Sequence, residues 1–338
     1  RACGTGLDSL ITVANKIAVG QIEAGIGGGS DTTSDVPIAV NKKLRRRLLD
    51  LNRARSLGER IKAALKGFSF GEFKPEFPGV AEPRTGKSMG ESCEDMAKQW
   101  QIRREDQDLL AYESHQKAAA AYARGFYSDL VMPLRGLDKD NILRPDTTLE
   151  KLATLKPAFD KRSGNGTLTA GNSTNLSDGA SAALLSSEAW AQANGKEIQA
   201  YLVDAQVAAV DFVAGEGLLM APAWAVAQLL KRNNLKLQDF DFYEIHEAFA
   251  AQVLCTLKAW ESEEFCKTKL GMDGALGSID RSKLNVVGSS LALGHPFAAT
   301  GARIVATAAK LLKEKGQGRV LISICTAGGM GVAAIVER

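Results

Sequence analysis

The sequence has few of the features that mark several large classes of protein. No stretch approaches the roughly 20 consecutive apolar residues that span a bilayer. Its five cysteines form no CxxC pair and no regular framework, which argues against a disulfide scaffold and fits free thiols in a reducing compartment. Only three histidines are present, and no two Cys or His residues lie within a few positions of each other. The sequence therefore shows no metal-site spacing.

The overall charge is small but unevenly distributed. A net charge of +3 does not by itself indicate nucleic-acid binding. Residues 41–66 hold ten Lys or Arg against Asp50 and Glu59, and the rest of the chain carries a net −5. With 338 residues and 45% hydrophobic content, the chain can bury a large core, and we expect more than one domain. The first residues include no initiator Met and no signal-like apolar run.

A similar succession of elements occurs near both ends of the chain. Residues 4–19 predict a helix that ends at Gly20 and leads to a glycine-rich run. Residues 301–315 predict an Ala-rich helix, followed by a glycine break and an apolar strand over 320–324. We interpret this repetition as an internal duplication of an α/β half-domain. A further strand is predicted at 242–245.

Residues 41–160 predict a mostly helical block of different composition. Within it, 41–66 predicts two basic amphipathic helices, and 104–124 predicts one long helix. Capping boxes that start helices are predicted at two pairs: Ser56 with Glu59, and Ser88 with Glu91. The apolar stripe of the two basic helices consists of Leu44, Leu48, Leu51, Ile61 and Leu65.

Two cysteines occur in sequence contexts that suit chemistry. Cys3 precedes a helix, where unpaired N–H groups and the helix dipole stabilise a thiolate and lower its pKa, and Gly4 allows a substrate to approach the backbone. Cys325 ends a strand and is followed by glycines that permit backbone N–H groups to face an oxyanion. The alternatives are a small buried hydrophobe at Cys3 and a flexible loop after Cys325. Cys93 and Cys255 fall within helical patterns and are interpreted as packing residues.

Two of the three histidines occur in unusual contexts. His295 lies between Gly294 and Pro296, so a tight turn directs its ring into a cavity. His246 follows the strand predicted at 242–245, and its ring can donate a hydrogen bond. The alternatives are a structural histidine at 295 and a helix start at 246, where an acidic Glu247 suits the first turn.

Four segments together resemble the active-site motifs of the thiolase family in order and spacing. They are Cys3-Gly-Thr-Gly-Leu, His246-Glu-Ala-Phe, Gly294-His-Pro-Phe-Ala-Ala-Thr-Gly-Ala-Arg303 and Cys325-Thr-Ala-Gly-Gly-Met-Gly331. Met89-Gly-Glu-Ser and residues 169–179 resemble two further family segments, so the likeness covers residues 1–338. HEAF replaces the commoner NEAF of the family. The basic segment is most similar to the thiolase subunit of fatty-acid oxidation complexes, including the trifunctional-protein β subunit.

The resemblance implies an α/β thiolase fold, in which two duplicated α/β halves form a layered αβαβα core with a mostly helical insertion. Residues 1–40 and 161–195 would then belong to the N-terminal half, 41–160 to a helical loop or cover domain, and 196–338 to the C-terminal half. Family members have a substantial segment before the nucleophilic cysteine, including the first strands of the N-terminal half. This chain starts two residues before that cysteine, so the N-terminal part of the first half is absent from it.

The resemblance also implies the reaction, which is thiolytic cleavage of 3-ketoacyl-CoA by CoA to acetyl-CoA and a shortened acyl-CoA. In this assignment Cys3 attacks the 3-keto carbon after His295 has taken its proton. His295 and His246 stabilise the enolate oxygen, and Cys325 protonates the enolate carbon. The N–H groups of Cys3 and Ala327 face the thioester oxyanion, although Ala327 stands where many thiolases have Gly.

Coenzyme A is the implied co-substrate, and no metal or permanently bound cofactor is implied. The residues that would contact it are Met89, Arg144, Phe159, Thr174 and Phe249. The alternatives are biosynthetic condensation, in which acetoacetyl-CoA forms, and a non-catalytic thiolase-like scaffold. A condensing ketosynthase of the same fold would lack a second acid/base cysteine, so Cys325 argues against it. A scaffold would have lost some of Cys3, His295 and Cys325, and all three are present.

The resemblance further implies a homodimer or a dimer of dimers and no nucleic-acid partner. Because 41–66 is crowded with positive charge, we expect it to dock on an anionic membrane surface or on a hydratase/dehydrogenase partner subunit. Steering of incoming acyl-CoA and a solvated helix face are the alternatives. The enzyme would be cytoplasmic in a bacterium, and mitochondrial if the absent N-terminal segment carried a targeting signal.

Overall fold

The computed structural model describes all 338 residues and contains two separate β-sheets. The first sheet pairs two strands antiparallel, and the second has four strands in the order β3-β6-β5-β4. Within the second sheet, β3 and β5 run antiparallel to β6, whereas β4 runs parallel to β5. The strands are β1 (Ala24–Asp31), β2 (Gly179–Ser186), β3 (Tyr201–Ala209), β4 (Phe242–Ile245), β5 (Arg319–Thr326) and β6 (Met330–Glu337).

Twelve α-helices accompany these strands. They are α1 (Thr5–Ala18), α2 (Lys42–Arg53), α3 (Leu57–Leu65), α4 (Met89–Gln99), α5 (Arg104–Ala123), α6 (Leu149–Ala153), α7 (Glu188–Ala193), α8 (Ala221–Asn233), α9 (Ala250–Glu261), α10 (Glu263–Thr268), α11 (Ser290–Leu293) and α12 (Thr300–Lys315). None of them combines the length and the apolar character that a membrane crossing needs.

The layered arrangement depends on two helices, α1 and α12, that lie between the two sheets. Both contact the β1-β2 sheet, and α12 also contacts β4, β5 and β6. The two helices meet through glycines, because a Cβ on Gly6 would lie 2.9 Å from the Ala302 amide nitrogen and one on Gly301 would lie 2.2 Å from the Leu7 amide nitrogen. Helix α8 packs against β3, β5 and β6, so the four-stranded sheet is part of a mixed α/β fold, as predicted.

The elements with strong local signals form where the sequence predicts them. The strand predicted at 242–245 is β4, the helix predicted at 4–19 is α1, and the strand predicted at 320–324 lies within β5. Each of the two predicted capping boxes is present, at the first residues of α3 and of α4. In each of the two repeated segments a helix leads into a strand that has an antiparallel partner. These are α1 with β1-β2 and α12 with β5-β6, in agreement with the proposed duplication.

The chain divides into two compact units by its internal contacts. One comprises Arg1–Asp31 with Ala81–Arg338, and the other is Thr32–Val80. These bounds differ from those of the helical block predicted at 41–160, and the three-domain assignment stays a prediction.

The smaller unit contains the two basic helices, and three residues of their apolar stripe, Leu48, Ile61 and Leu65, are exposed. Neither α2 nor α3 has a buried residue. One basic side chain of this unit is internal, because Arg47 forms two hydrogen bonds with the carboxylate of buried Glu72, both 2.7 Å long. Arg47 also donates to the carbonyls of Ala63 and Ala64. Arg47 therefore has its counter-charge within the unit, at an acid outside the basic segment 41–66.

Candidate active site

Cys3 lies in a 3₁₀ turn, Ala2–Gly4, that leads directly into α1. Its neighbour Gly4 is buried, and a Cβ there would lie 2.9 Å from a methyl of Thr326 and 3.0 Å from a methyl of Val332. The glycine at position 4 thus serves the packing of this turn against β5 and β6. This replaces the expectation that Gly4 makes room for substrate.

The pKa of Cys3 moves opposite to the predicted direction. Burial raises the pKa of its thiol to about 11, although hydrogen bonds from the backbone N–H groups of Ala327 and of Cys3 itself lower it. The helix position provides the expected N–H donors, but desolvation of the thiolate outweighs them because the residue packs against the core around Leu7. Cys3 therefore carries a neutral thiol at pH 7 and needs a base. The same two N–H groups are those assigned to the thioester oxyanion.

Cys325 lies near the end of β5 and is 1% exposed. Burial raises its pKa well above the ordinary value, and the Cys3 thiol adds to the shift. The parallel pairing of β4 with β5 places the end of β4 at the same edge, since Ile245 is opposite Ser323. The residue after β4, His246, donates its N–H to the Ser323 carbonyl at 2.9 Å.

His246 is fully buried and has one ring nitrogen in a hydrogen bond. Its Nδ1 lies 2.7 Å from the hydroxyl of Ser290, and its Nε2 has no partner. Burial, the adjacent His295 and then Arg303 lower its pKa well below the ordinary value, so the ring is neutral. The next helix, α9, starts only at Ala250, and Glu247 is buried, so the alternative of a helix start at 246 does not hold.

His295 occupies the tight turn that the sequence predicts. Gly294 has φ +83°, and the His295 N–H donates to the Asn175 carbonyl at 2.9 Å. The ring is buried, with Nδ1 2.7 Å from the hydroxyl of Thr300 and with Nε2 unpartnered. Burial and then Arg303 lower its pKa to about 3.

The fold brings three predicted residues from distant parts of the chain together. The sulfur of Cys3 and one ring nitrogen each of His246 and His295 all lie within 4.8 Å of one another. This set offers a nucleophile, a neutral imidazole that can accept its proton, and a second neutral imidazole that can donate to an oxyanion. A thiol and two imidazoles are also ligands that zinc accepts, so the same set has the composition of a three-ligand metal site.

The residues that hold these side chains include several to which the sequence analysis assigned no role, although Thr300 and Asn175 lie within its segments 294–303 and 169–179. Ser290, Thr300 and Asn175 each bond directly to one of the two histidines. Arg303, recognised only as part of a motif, donates from Nη2 to the Ser290 hydroxyl at 3.0 Å. No pattern in the sequence singled out these hydroxyls, because Ser and Thr occur in many loops and helix starts.

A cavity of about 290 Å³ connects with this site only through neighbouring residues, because none of Cys3, His246, His295 and Cys325 lines it. Asn175, which holds the backbone of His295, forms part of its wall, and so does Leu291 next to Ser290. Arg144 and Lys151 make its lining basic. His115 also lines it, accepts the Arg144 backbone N–H at Nδ1 and has its pKa lowered to about 4 by burial.

Of the five predicted CoA contacts, Arg144 alone lines this cavity. Phe159 and Phe249 form an edge-to-face pair 5.7 Å apart between ring centroids and pack in one core cluster with Met89. Thr174 donates from its hydroxyl to the carbonyl of Ser290 at 2.6 Å. The remaining cysteines are packing residues: Cys93 in α4, Cys255 in α9 and Cys266 in α10 are all fully buried.

Comparison with known proteins matches both parts of the chain to one family. Residues 1–189 match the model of the thiolase N-terminal domain and residues 196–338 match that of the thiolase C-terminal domain. The 3-ketoacyl-CoA thiolases of Shewanella sediminis and Shewanella loihica are each 45% identical over 343 residues, which span all of this chain and 78% of theirs.

Solved structures show the same relationship. The acetyl-CoA acetyltransferase of Bacillus anthracis is 32% identical with a TM-score of 0.77, over 100% of this chain and 77% of that one. The human mitochondrial 3-ketoacyl-CoA thiolase in complex with CoA is 28% identical with a TM-score of 0.78, over 99% of this chain and 76% of that one.

Proposed function

The chain belongs to the thiolase family, and from this premise we propose how it cleaves 3-ketoacyl-CoA by thiolysis. It is an acyltransferase of fatty-acid β-oxidation that uses CoA to release acetyl-CoA and a shortened acyl-CoA. The family models over both halves and the 45% identity to 3-ketoacyl-CoA thiolases support this assignment. The observation that carries the mechanism is the approach of Cys3, His246 and His295 to within 4.8 Å.

The first half-reaction forms an acyl-enzyme on Cys3. As the sulfur attacks the 3-keto carbon, its proton passes to His295 Nε2, which is neutral and has no other partner. The bond between C2 and C3 then breaks, and its electron pair leaves with C2 as the enolate of acetyl-CoA. His295, now protonated, and the neutral His246 each donate a hydrogen bond to the enolate oxygen. Cys325 gives its proton to C2.

The second half-reaction transfers the acyl group to CoA. Cys325 takes the proton of the CoA thiol, whose sulfur attacks the thioester carbonyl. The carbonyl oxygen faces the N–H groups of Cys3 and Ala327, which already point at the Cys3 sulfur in the free enzyme. Cys3 leaves with the proton that His295 holds, which restores both residues.

The basic cavity suits the anionic nucleotide end of CoA. Arg144 and Lys151 line it, and Asn175 connects its wall with the turn of His295. Met89, Phe159, Thr174 and Phe249 remain the proposed neighbours of the pantetheine chain. Thiolysis of a chain-length series of 3-ketoacyl-CoA substrates by the wild-type enzyme and by Arg144→Ala tests this. We expect Arg144→Ala to have a higher KM for CoA and an unchanged acyl-chain preference.

Loss of absorbance of a 3-ketoacyl-CoA–Mg²⁺ complex on addition of CoA and enzyme tests the reaction. Cys3→Ala is the matched control, because it removes the nucleophile and leaves a small residue in the same turn. Acylation of Cys3→Ala by labelled acyl-CoA would refute the assignment of the nucleophile. Turnover with acetyl-CoA alone, without cleavage of longer substrates, would favour biosynthetic condensation.

We further propose that the unit Thr32–Val80 docks on an anionic membrane surface. Its basic helices lie beside strongly exposed apolar side chains, among them Leu57, Phe70 and Phe77 at 74%, 85% and 65% exposure. A surface that combines Lys and Arg with exposed Leu and Phe suits an anionic lipid surface better than it suits an acidic protein face, because the lipid offers both negative charge and apolar contact. The homodimer and a hydratase/dehydrogenase partner subunit remain proposals that rest on the family resemblance.

Charge reversal at Arg45 and Arg46 tests the docking surface. Arg47 is left unchanged because its ion pair with Glu72 is internal to the unit. We expect weaker, salt-dependent binding to phosphatidylserine vesicles and unchanged thiolysis of a short soluble substrate. Intact vesicle binding with a raised KM for CoA would instead mean that the segment steers substrate, and binding only to a partner subunit would replace the membrane by protein.

A further inference from the structure

The hydroxyl of Ser290 is a buried link between a charged side chain and a catalytic-site ring. Ser290 is 0% exposed and is the first residue of α11. Its Oγ lies 2.7 Å from Nδ1 of His246 and 3.0 Å from Nη2 of Arg303. The other ring nitrogen of His246, Nε2, is buried without a partner on the side where Cys3 and His295 converge.

The donors and acceptors of these three groups allow one arrangement. An arginine guanidinium has donors only, so Ser290 Oγ accepts from Arg303. The Ser290 hydroxyl carries one proton, and a buried hydroxyl proton needs an acceptor. His246 Nδ1 is the acceptor within hydrogen-bond distance. A neutral imidazole that accepts at Nδ1 carries its proton on Nε2.

We propose that Arg303 and Ser290 are positioning residues that hold His246 as its Nε2–H tautomer, so that the ring presents a donor to the enolate oxygen. This inference rests on the role proposed above for His246. Without the relay, a neutral His246 can place its proton on Nδ1 and turn a bare nitrogen lone pair towards the enolate. The ring would then repel the charge that it is meant to stabilise.

The role proposed for His295 requires the opposite tautomer in the second ring of the stacked pair. His295 must have a bare Nε2 to take the Cys3 proton, which places its own proton on Nδ1. The Thr300 hydroxyl, 2.7 Å from Nδ1, is the acceptor available for that proton. This tautomer of His295 follows from its proposed role as the base.

The surrounding contacts keep the relay in place. The Leu291 N–H donates to the carboxylate of Glu247 at 3.1 Å, and that carboxylate also accepts from Ser114 and Asn285. Glu247 therefore fixes the short helix of Ser290 relative to His246, its own neighbour in the chain. Burial and the Arg303 charge both lower the pKa of His246, so the ring stays neutral and its tautomer matters.

Nitrogen-15 NMR of protein labelled at histidine tests the proposal directly, because the chain has only three histidines. Long-range ¹H–¹⁵N correlations distinguish an Nε2–H from an Nδ1–H ring. We expect Nε2–H for His246 and Nδ1–H for His295. His115 accepts a backbone N–H at Nδ1 and serves as an internal Nε2–H reference. Assignment of His246 as Nδ1–H in the wild-type spectrum overturns the proposal, whatever the variants do.

Ser290→Ala should release the tautomer of His246, seen as averaged ring shifts, while His115 and His295 stay unchanged. Ser289→Ala is the matched control, since it removes a neighbouring buried hydroxyl that has no hydrogen-bond partner. We expect Ser290→Ala to lower kcat for thiolysis by about 10- to 100-fold at a nearly unchanged KM for CoA. Ser290→Thr keeps a hydroxyl and should restore both the tautomer and most of kcat.

The outcomes separate this inference from the proposed function. An unchanged His246 spectrum in Ser290→Ala shows that the serine does not set the tautomer. A changed spectrum with an unchanged kcat shows that the tautomer has no part in catalysis. Absence of thiolysis in the wild-type enzyme would refute the proposed function, and the wild-type tautomer could still be measured.

Discussion

The rings of His246 and His295 lie 4.2 Å apart between centroids and are inclined by 40°. Each ring bonds through Nδ1 to the hydroxyl of a different helix, Ser290 of α11 or Thr300 of α12, and each leaves Nε2 buried and unpartnered. Burial lowers the pKa of both rings, so two neutral imidazoles face one reaction site. This pairing allows one ring to take a proton while the other donates a hydrogen bond.

Cys325→Ala should separate the two half-reactions. We expect the variant to form the acyl-enzyme on Cys3 from labelled acyl-CoA, because the nucleophile and His295 remain. Turnover should fall strongly, since no other group is assigned to protonate C2 or to deprotonate CoA. Quenched-flow measurement of acyl-enzyme and product checks both. A variant that turns over at the wild-type rate would rule out the acid/base role.

Replacement of His246 tests the donor to the enolate. His246→Asn should keep measurable activity, because an amide N–H can also donate to the enolate oxygen or to a water beside it. His246→Ala should lower kcat by roughly 10²–10³-fold, as when an oxyanion donor is removed. Steady-state thiolysis compares the two variants. Equal rates would mean that the ring of His246 does not donate to the enolate.

Thr300→Val should weaken His295 as a base. The variant keeps the shape of the side chain but removes the acceptor of the His295 Nδ1 proton, so we expect slower acylation of Cys3. Thr307→Val is the matched control on the same helix, since Thr307 is equally buried and its hydroxyl has no partner. Single-turnover acylation measures the effect. Similar losses in both variants would indicate a packing effect in α12 and no specific role of Thr300.

The raised pKa of Cys3 predicts a particular pH dependence of its reactivity. With a pKa of about 11, the thiol is protonated throughout the neutral range. Alkylation by iodoacetamide should therefore accelerate about tenfold per pH unit from pH 7 to pH 9 without a plateau. Cys3→Ala provides the background from the four other cysteines. A plateau below pH 8 would show a stabilised thiolate, as the sequence alone had predicted.

The buried carboxyl of Glu244 leads us to expect that the protein loses stability as pH rises. Burial raises the pKa of this carboxyl from its ordinary 4.5 to about 8, and neither oxygen has a hydrogen-bond partner. Between these two values the folded state keeps the proton and the unfolded state loses it, so the free energy of unfolding falls as pH rises. Glu244→Gln removes this dependence and should gain stability relative to wild type from pH 5 to pH 8. Urea unfolding at several pH values measures it, and parallel curves for the two proteins would contradict the prediction.

The elements with local signals could be predicted from the sequence. Helix α1 and strand β4 form at the predicted residues because apolar spacing and flanking glycines act within a few positions. The capping boxes at Ser56 and Ser88 form for the same reason, since each satisfies N–H groups only three residues away. Cys3, His246, His295 and Cys325 could be proposed as site residues from short contiguous motifs, and the fold brings the first three together.

The chemical state of these residues was not accessible from local patterns. The helix start at Cys3 predicted a lowered pKa, and the structure raises it, because desolvation depends on packing around Leu7 that involves distant strands. Similarly, Arg47 looked like part of a free basic cluster until folding placed Glu72, 25 residues away, against it.

The amino-acid sequence by itself determined which side chains are available for the reaction and the elements that carry them. Only the tertiary structure decided where their protons lie. The tautomer of His246 depends on a serine 44 residues away and on the arginine that this serine meets. Hydrogen bonds between segments far apart in sequence exist only once the sheets and helices have packed, so no local pattern encodes them.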